Sequence, residues 1–293
     1  ALGRTDRLGM IGGTSGKMIM DFSKRIKDNK GDAIWIAAHR GVSAANIPCN
    51  TLAAFGIVLQ QKAEIVEIDV AQTADGVLCV FHPGKEAPHL RSNKVIAQMT
   101  WEETSRLRFV NQDDEPTHYP VETLDDVLDF LKGKCYVNVD KFWMDIPAIT
   151  ACIRRHGMEH QVIVKTPCAQ EHFDRVKACA PDLAIMPMIR AQDVWTERLL
   201  GMVINYAGAE VIFSKESDPV ASEAYIASMH RKGLLVWVNA IVYDETAVIS
   251  AGHTDDVSLT RSPDEGWGWL RDRGFDIIQT DWPLMLRHYL AGK

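Results

Sequence analysis

The side chains able to do chemistry fall at the ends of short apolar runs. His39 and Arg40 close the run Ala33 to Ala38. A lone histidine there is most often structural, but the adjoining guanidinium, planar and always charged, suits bidentate binding of phosphate. In Ile65-Val66-Glu67-Ile68-Asp69-Val70 two carboxylates stand two residues apart, and in a strand such residues share a face. Val66, Ile68 and Val70 supply an apolar opposite face for surrounding helices to cover, so Glu67 and Asp69 are expected to point inward near a barrel mouth. Two inward acids cannot both stay charged cheaply without a cation, and a hard ion, Mg2+ or Ca2+, is the natural partner. Asp140 ends the run Tyr136 to Asp140 and adds a third carboxylate, while His82, after Val80-Phe81, adds a second imidazole. Two histidines for proton transfer, three carboxylates for one divalent cation and an arginine for phosphate are the equipment of a metal-dependent phosphodiesterase.

The elements that must position these residues read as repeated βα units. Short β-rich runs alternate with segments of helical period, the pattern of a parallel sheet. Eight strands are expected: Ala33 to Ala38, Val66 to Ala71, Cys135 to Asp140, Gln161 to Lys165, Ala184 to Ile189, Val211 to Ser214, Leu234 to Asn239 and Asp276 to Thr280. Val77 to Phe81, after the turn-forming Thr73-Ala74-Asp75-Gly76, is expected to fold back as a hairpin and return His82 to the same end. Segments such as Thr51 to Gln61, Thr123 to Leu131, Ile146 to His156 and Glu171 to Cys179 would form an outer ring of helices. The pattern predicts a single-domain α/β chain, a TIM-like (β/α)8 barrel over residues 33–293, with a substrate-side insertion at 83–120. Residues 1–32 are expected to cover the barrel bottom, with Met18, Phe22 and Ile26 on one face of an amphipathic helix.

Composition sets further bounds. The 293 residues carry 32 Lys+Arg against 39 Asp+Glu, net −7, which leaves no broad basic surface for nucleic acid or an anionic membrane. No apolar run is long enough for a transmembrane helix. The N-terminus lacks the apolar core of an intact signal peptide, and the compartment stays open: cytoplasmic, or periplasmic or secreted if a signal has been removed. The six cysteines lack metal-finger spacing and read as mostly buried thiols, with disulfides left open.

Taken in order, His39-Arg40-Gly41, Pro48-Cys49-Asn50-Thr51, Glu67-Ile68-Asp69, Thr73-Ala74-Asp75-Gly76, His82 and Asp276-Ile277-Ile278-Gln279-Thr280-Asp281-Trp282-Pro283 resemble the glycerophosphodiester phosphodiesterases, over roughly residues 33 to 287. Glu122-Thr123-Leu124 and Trp237-Val238-Asn239 share the likeness. The resemblance implies metal ligation by Glu67, Asp69 and Asp140, catalysis by the pair His39 and His82, and hydrolysis of a small phosphodiester to an alcohol and glycerol 3-phosphate. Four positions depart from the pattern: Cys49 and Asp140 each stand where glutamate is usual, Phe142 replaces a lysine while Lys141 comes one residue early, and Pro83 follows His82 in place of aspartate. Lys165, ending Val162-Ile163-Val164, is a candidate to supply the displaced cation at the phosphate; a surface lysine is the plain alternative. Trp237, Trp267 and Trp269 are candidates to line the mouth, with packing as their default role. Two other functions stay open: a sphingomyelinase D-like phospholipase acting on lipid, which exposed apolar loops at the mouth would favour, and a non-catalytic phosphodiester-binding barrel.

Overall fold

The computed structural model describes residues 21–22 and 33–292; Met18 and Ile26 of the expected N-terminal helix lie outside them. Its central feature is a parallel sheet made of β1 (Trp35–Ala38), β2 (Ile65–Gln72), β3 (Tyr136–Asp140), β4 (Val162–Val164), β5 (Ala184–Ile185 continued by Met188–Arg190), β6 (Gly208–Ile212), β7 (Leu235–Asn239) and β8 (Ile277–Thr280). Neighbours follow chain order, and β8 pairs with β1. The ends of the ladder meet at β5. Met186 N and Met188 N donate to Val164 O and Thr166 O on one side, while Ala207 N and Glu210 N donate to Ile185 O and Pro187 O on the other. The sheet therefore closes on itself as a TIM-like barrel.

Alternation explains which side chains meet. The outward residues of the strands, among them Ile36, Val66, Ile68, Val139, Val164, Val211, Val238 and Ile278, are buried in one continuous core beneath the helices. Each fully buried aliphatic side chain contributes roughly 1.5–3 kcal/mol. The inward residues fall into layers. Trp35, Ile65, Tyr136, Ile163, Ala184, Leu235 and Ile277 fill the bottom, and Phe22 sits against the Trp35 and Tyr136 rings edge-on, its N donating to His160 O. The layers toward the mouth are polar.

Two strands differ from the sequence expectation. The fifth is interrupted at Pro187, which has no N–H to give to a ladder. The sixth begins three residues earlier than expected, at Gly208, because that glycine (φ 154°) lies against the next strand: a Cβ there would fall 2.1 Å from Leu235 O. The shift brings Glu210, absent from the expected strand, inside the barrel, 6% exposed.

The hairpin forms as expected. Leu78–Val80 runs antiparallel to β2 with Val70 opposite Val80, and His82 comes back beside Asp69. Within residues 83–120, short helices at Glu86–Leu90 and Trp101–Thr104 precede a ladder between Arg108–Val110 and Pro116–Pro120. Phe81, Leu90, Ile96, Met99, Phe109 and Val121 give this region its own small core. All six cysteines are free thiols, and no helix among the described residues is long and apolar enough to cross a membrane.

Candidate active site

At the C-terminal end of β1 the chain must turn sharply, and Arg40 (φ 55°) and Gly41 (φ 83°) both take left-handed backbone. A Cβ on Gly41 would meet Ala54 Cβ at 2.8 Å, so only glycine lets this loop lie against the helix Leu52–Gln61. The turn aims Arg40 N at Glu67 Oε2 (2.8 Å) and puts Arg40 Nε 2.8 Å from Asp69 Oδ2. Asn50, next to the helix-capping Thr51, embraces Asp69: its Nδ2 donates to Oδ2 at 3.0 Å, and its Oδ1 accepts from Asp69 N at 3.3 Å.

The acids converge because of register. Asp69 is the ladder partner of Asp140, and Glu67 of Asn138, so the three carboxylates occupy adjacent inward positions. One oxygen from each of Glu67, Asp69 and Asp140 lies within 4.8 Å of the others. Asp69 Oδ1 is buried and accepts no hydrogen bond, although His82 Nε2 stands 4.0 Å away and Lys141 Nζ 3.9 Å. Burial, with the charge of Asp69 beside it, pushes the Glu67 carboxyl up to about 7. Burial acts on Asp69 in the same sense, but Arg40 leads a group of cations and donors that hold it below the usual carboxylate range. Crowded hard oxygens, one of them without a donor, make a candidate site for a divalent cation.

The histidines face this cluster from different strands. His39 N accepts its place in the ladder by donating to Thr280 O, and His39 Nδ1 lies 2.9 Å from Asp281 Oδ1. Burial would lower the basicity of His39, but the Asp281 carboxylate outweighs it and the net direction is upward. His82 is shifted the other way: burial lowers it, Arg40 and Lys141 add to the effect, and Asp69 opposes them. Asp281 is in turn held by Asp255, whose Oδ2 accepts from Asp281 N at 2.9 Å while Oδ1 accepts from Trp267 Nε1 and Thr280 Oγ1, both at 2.7 Å.

The lysine nearest these acids is Lys141. Its Nζ is 3.1 Å from Asp140 Oδ2, and its left-handed backbone (φ 61°) is what turns it inward. Lys165 also lines the cavity, but its Nζ pairs with Glu210 Oε2 at 2.6 Å, donates to Gln279 Oε1 at 3.3 Å and rests 3.7 Å above the Trp237 ring. These groups enclose a space of about 300 Å3 whose upper wall is Tyr243, Ile241 and Ile249. Trp237 lies buried beneath it. Trp267 and Trp269 do not line it: the first is locked by Asp255, and the second stacks on His253. Cys49 lines a neighbouring cavity with His89, Phe109 and Trp282, its thiol raised to about 11 by burial. Asp281, Lys141, Glu210 and Asn50 were given no role by sequence alone, although Asp281 and Asn50 stood inside the quoted motifs.

Residues 185–290 match a family model described as a domain of unknown function, DUF4996. A stretch of 74 residues is 32% identical to a Bacillus subtilis (strain 168) protein named "Putative glycerophosphodiester phosphodiesterase YhdW", and it spans 25% of this chain and 30% of that relative's length. Solved structures of the same architecture include a glycerophosphoryl diester phosphodiesterase from Parabacteroides distasonis ATCC 8503 (TM-score 0.75, 18% identity, 94% of this chain and 93% of that one). Another, from Agrobacterium tumefaciens str. C58, has TM-score 0.63 and 24% identity over 87% of this chain and all of its own. A phosphodiesterase from Oleispira antarctica, in complex with the product sn-glycerol-3-phosphate, has TM-score 0.67 and 19% identity over 88% and 97% of the two chains. This chain has the fold of those enzymes.

Proposed function

We propose that this chain hydrolyses small glycerophosphodiesters to an alcohol and glycerol 3-phosphate in a metal-dependent reaction. The observation that carries the proposal is the convergence of Glu67, Asp69 and Asp140 with Arg40, His39 and His82 at one barrel mouth. Glu67, Asp69 and Asp140 would hold one Mg2+ or Ca2+, which when bound neutralises charge on a phosphate oxygen. Arg40 and Lys141 bind the remaining phosphate oxygens, and Lys165, at the cavity floor, adds positive potential that Glu210 partly cancels. His39, its Nδ1 engaged by Asp281, presents Nε2 as the base that takes the proton of the attacking hydroxyl, from substrate glycerol or water. His82 gives a proton to the leaving alcohol oxygen; since His39 is the more basic of the two, the working form, neutral His39 with protonated His82, is the minor one of the singly protonated pair.

The test is a panel of glycerophosphocholine and glycerophosphoethanolamine with Mg2+, Ca2+ or a chelator. Release of glycerol 3-phosphate that a chelator stops is expected; no turnover of any diester with either ion would overturn the proposal. A second substrate class has one observation in its favour. Met144, Tyr243 and Trp282, on loops that follow β3, β7 and β8, are 51%, 47% and 51% exposed around the mouth. An apolar rim of that kind suits a diester with an acyl chain, so lysophosphatidylcholine belongs in the same panel. Faster turnover of the lysolipid than of glycerophosphocholine would favour this second class.

A further inference from the structure

Outside the barrel wall the helices Leu124–Leu131 and Ile146–Arg155 pack side by side. Each brings two polar side chains, four residues apart, into the seam: Asp125 and Asp129 from the first, Cys152 and His156 from the second, whose C-cap is His156. Residues at that spacing share a helix face. His156 Nε2 lies 2.7 Å from Asp125 Oδ1, and Nδ1 lies 2.7 Å from Asp129 Oδ1. The buried Cys152 thiol donates to the same Asp125 oxygen at 3.7 Å. One donor atom from each of Asp125, Cys152 and His156 falls within 4.8 Å of the others.

The histidine makes the arrangement informative. A neutral imidazole has a single N–H, so with a carboxylate on each nitrogen one contact would set a lone pair against an anionic oxygen. The geometry asks for positive charge at Nε2, carried by a proton or by a metal. Asp129 on Nδ1 is the outer carboxylate that fixes ring orientation and tautomer in histidine–metal sites. Zinc bonds of about 2.0 Å to N and O and about 2.3 Å to S place tetrahedral donors about 3.3–3.6 Å apart. The Cys152–Asp125 separation already has that size, and His156 must withdraw from Asp125 by only about 0.6 Å.

We propose that Asp125, Cys152 and His156 form a second divalent-metal site, selective for Zn2+, which ties the two helices together and leaves its fourth position to water. Thiolate with imidazole and carboxylate is the donor set of a borderline-soft ion, whereas Glu67, Asp69 and Asp140 are all hard oxygens. Binding breaks the Cys152 S–H bond and, where His156 is protonated, its Nε2–H bond. Zn–S, Zn–N and Zn–O bonds form, the protons go to solvent, and no electrons are transferred. Burial, reinforced by Asp125, pushes the free thiol up to about 12, so the metal itself must drive the deprotonation. Arg155, with Nη2 2.6 Å from Asp125 Oδ1, is the internal competitor for that carboxylate.

Co2+ reports on the site, because a cobalt–thiolate bond adds a near-ultraviolet charge-transfer band that an all-oxygen site lacks. Added to the full chain, Co2+ is expected to give that band in the wild type and in Cys49→Ser, to be displaced by Zn2+, and to give none in Cys152→Ser or His156→Asn. Asp129→Asn should weaken Zn2+ roughly 10- to 100-fold, the usual effect of removing an outer partner. No band in the wild type, or a band that survives either Cys152→Ser or His156→Asn, would overturn the proposal. Should Cys152→Ser fail to fold by circular dichroism, His156→Asn, at a helix end, decides alone.

Discussion

Asp281→Asn tests whether the His39–Asp281 contact positions the proposed base. The carboxylate oxygen stands 2.9 Å from Nδ1, which fixes the proton there and leaves Nε2 free to accept. An amide at 281 keeps the volume but removes the charge and offers an N–H that favours the wrong tautomer. A hydrogen bond to a charged group is worth about 1.5–3 kcal/mol. At 1.36 kcal/mol per decade, turnover should fall about 10- to 100-fold. The Asp281 side chain is 47% exposed, so solvent screening places the expectation toward the lower figure. Because Asp281 raises His39 while His82 is lowered, the upper step of the pair is mainly that of His39, and the alkaline limb of the pH–rate profile should move to lower pH in the variant, by about one unit for each 1.36 kcal/mol lost. KM should change little, since Asp281 is not placed against the phosphate. The assay is kcat and KM for glycerophosphocholine from pH 5 to 9. A kcat within threefold of wild type with an unmoved alkaline limb would refute the positioning role, and a rise in KM alone would make Asp281 a substrate ligand.

Other expectations follow from the same geometry. Glu67→Ala or Asp69→Ala should abolish metal-dependent turnover and weaken Mg2+ or Ca2+ binding by calorimetry, with circular dichroism unchanged; equal affinity in both variants would end their assignment as ligands. Cys49→Glu, which puts a carboxylate within the field of Arg40, should alter activity or metal affinity several fold, and no change in either would make the position structural. Each of His39→Asn and His82→Asn should remove one limb of a bell-shaped profile and reduce turnover by roughly 10²- to 10⁴-fold; with p-nitrophenolate as leaving group the loss for His82→Asn should shrink, and an equal loss in both variants would refute the division of roles. Lys165→Met leaves Glu210 buried without its partner, which should cost about 3–5 kcal/mol of stability in a urea titration; a smaller loss with a raised KM would assign Lys165 to the phosphate instead.

The parts of the site legible in the sequence are those that lie within regular strands. Glu67 and Asp69 could be aimed from alternation alone, since Val66, Ile68 and Val70 fix which face is apolar. The hairpin that returns His82 was equally readable from its turn residues. What was not legible depends on irregular backbone or on pairing between distant segments. Glu210 follows Gly208 and Ala209, which look like loop, and only the approach of Leu235 O makes that glycine part of a strand. Asp281 reaches His39 because β8 closes on β1, a contact across 242 positions of chain. Pro187 divides a run that its composition presents as one strand.

Lys141 shows how an apparent defect in the motif is repaired by backbone conformation. By alternation from the inward Asp140, residue 141 should face the helices and residue 142 the cavity. The left-handed φ of 61° at Lys141 reverses this: the amine swings to Asp140 and Asp69, and Phe142 drops into the outer core, fully buried. That conformation costs a non-glycine residue about 1–2 kcal/mol. Burial of a phenyl ring and an ion pair with Asp140 offset the cost. The consequence is electrostatic. With Glu67, Asp69 and Asp140 ionised, the Arg40, Lys141 and Arg190 side chains at the same mouth balance their charge, while Glu210 offsets Lys165 beneath it. A dication held by the three acids, as proposed above, would then give the mouth a net positive charge, the sign that attracts the single negative charge of a phosphodiester. Without Lys141 the same ion would leave a weaker positive field at the mouth, which is why the lysine's position, one residue early in sequence, matters less than where its backbone sends it.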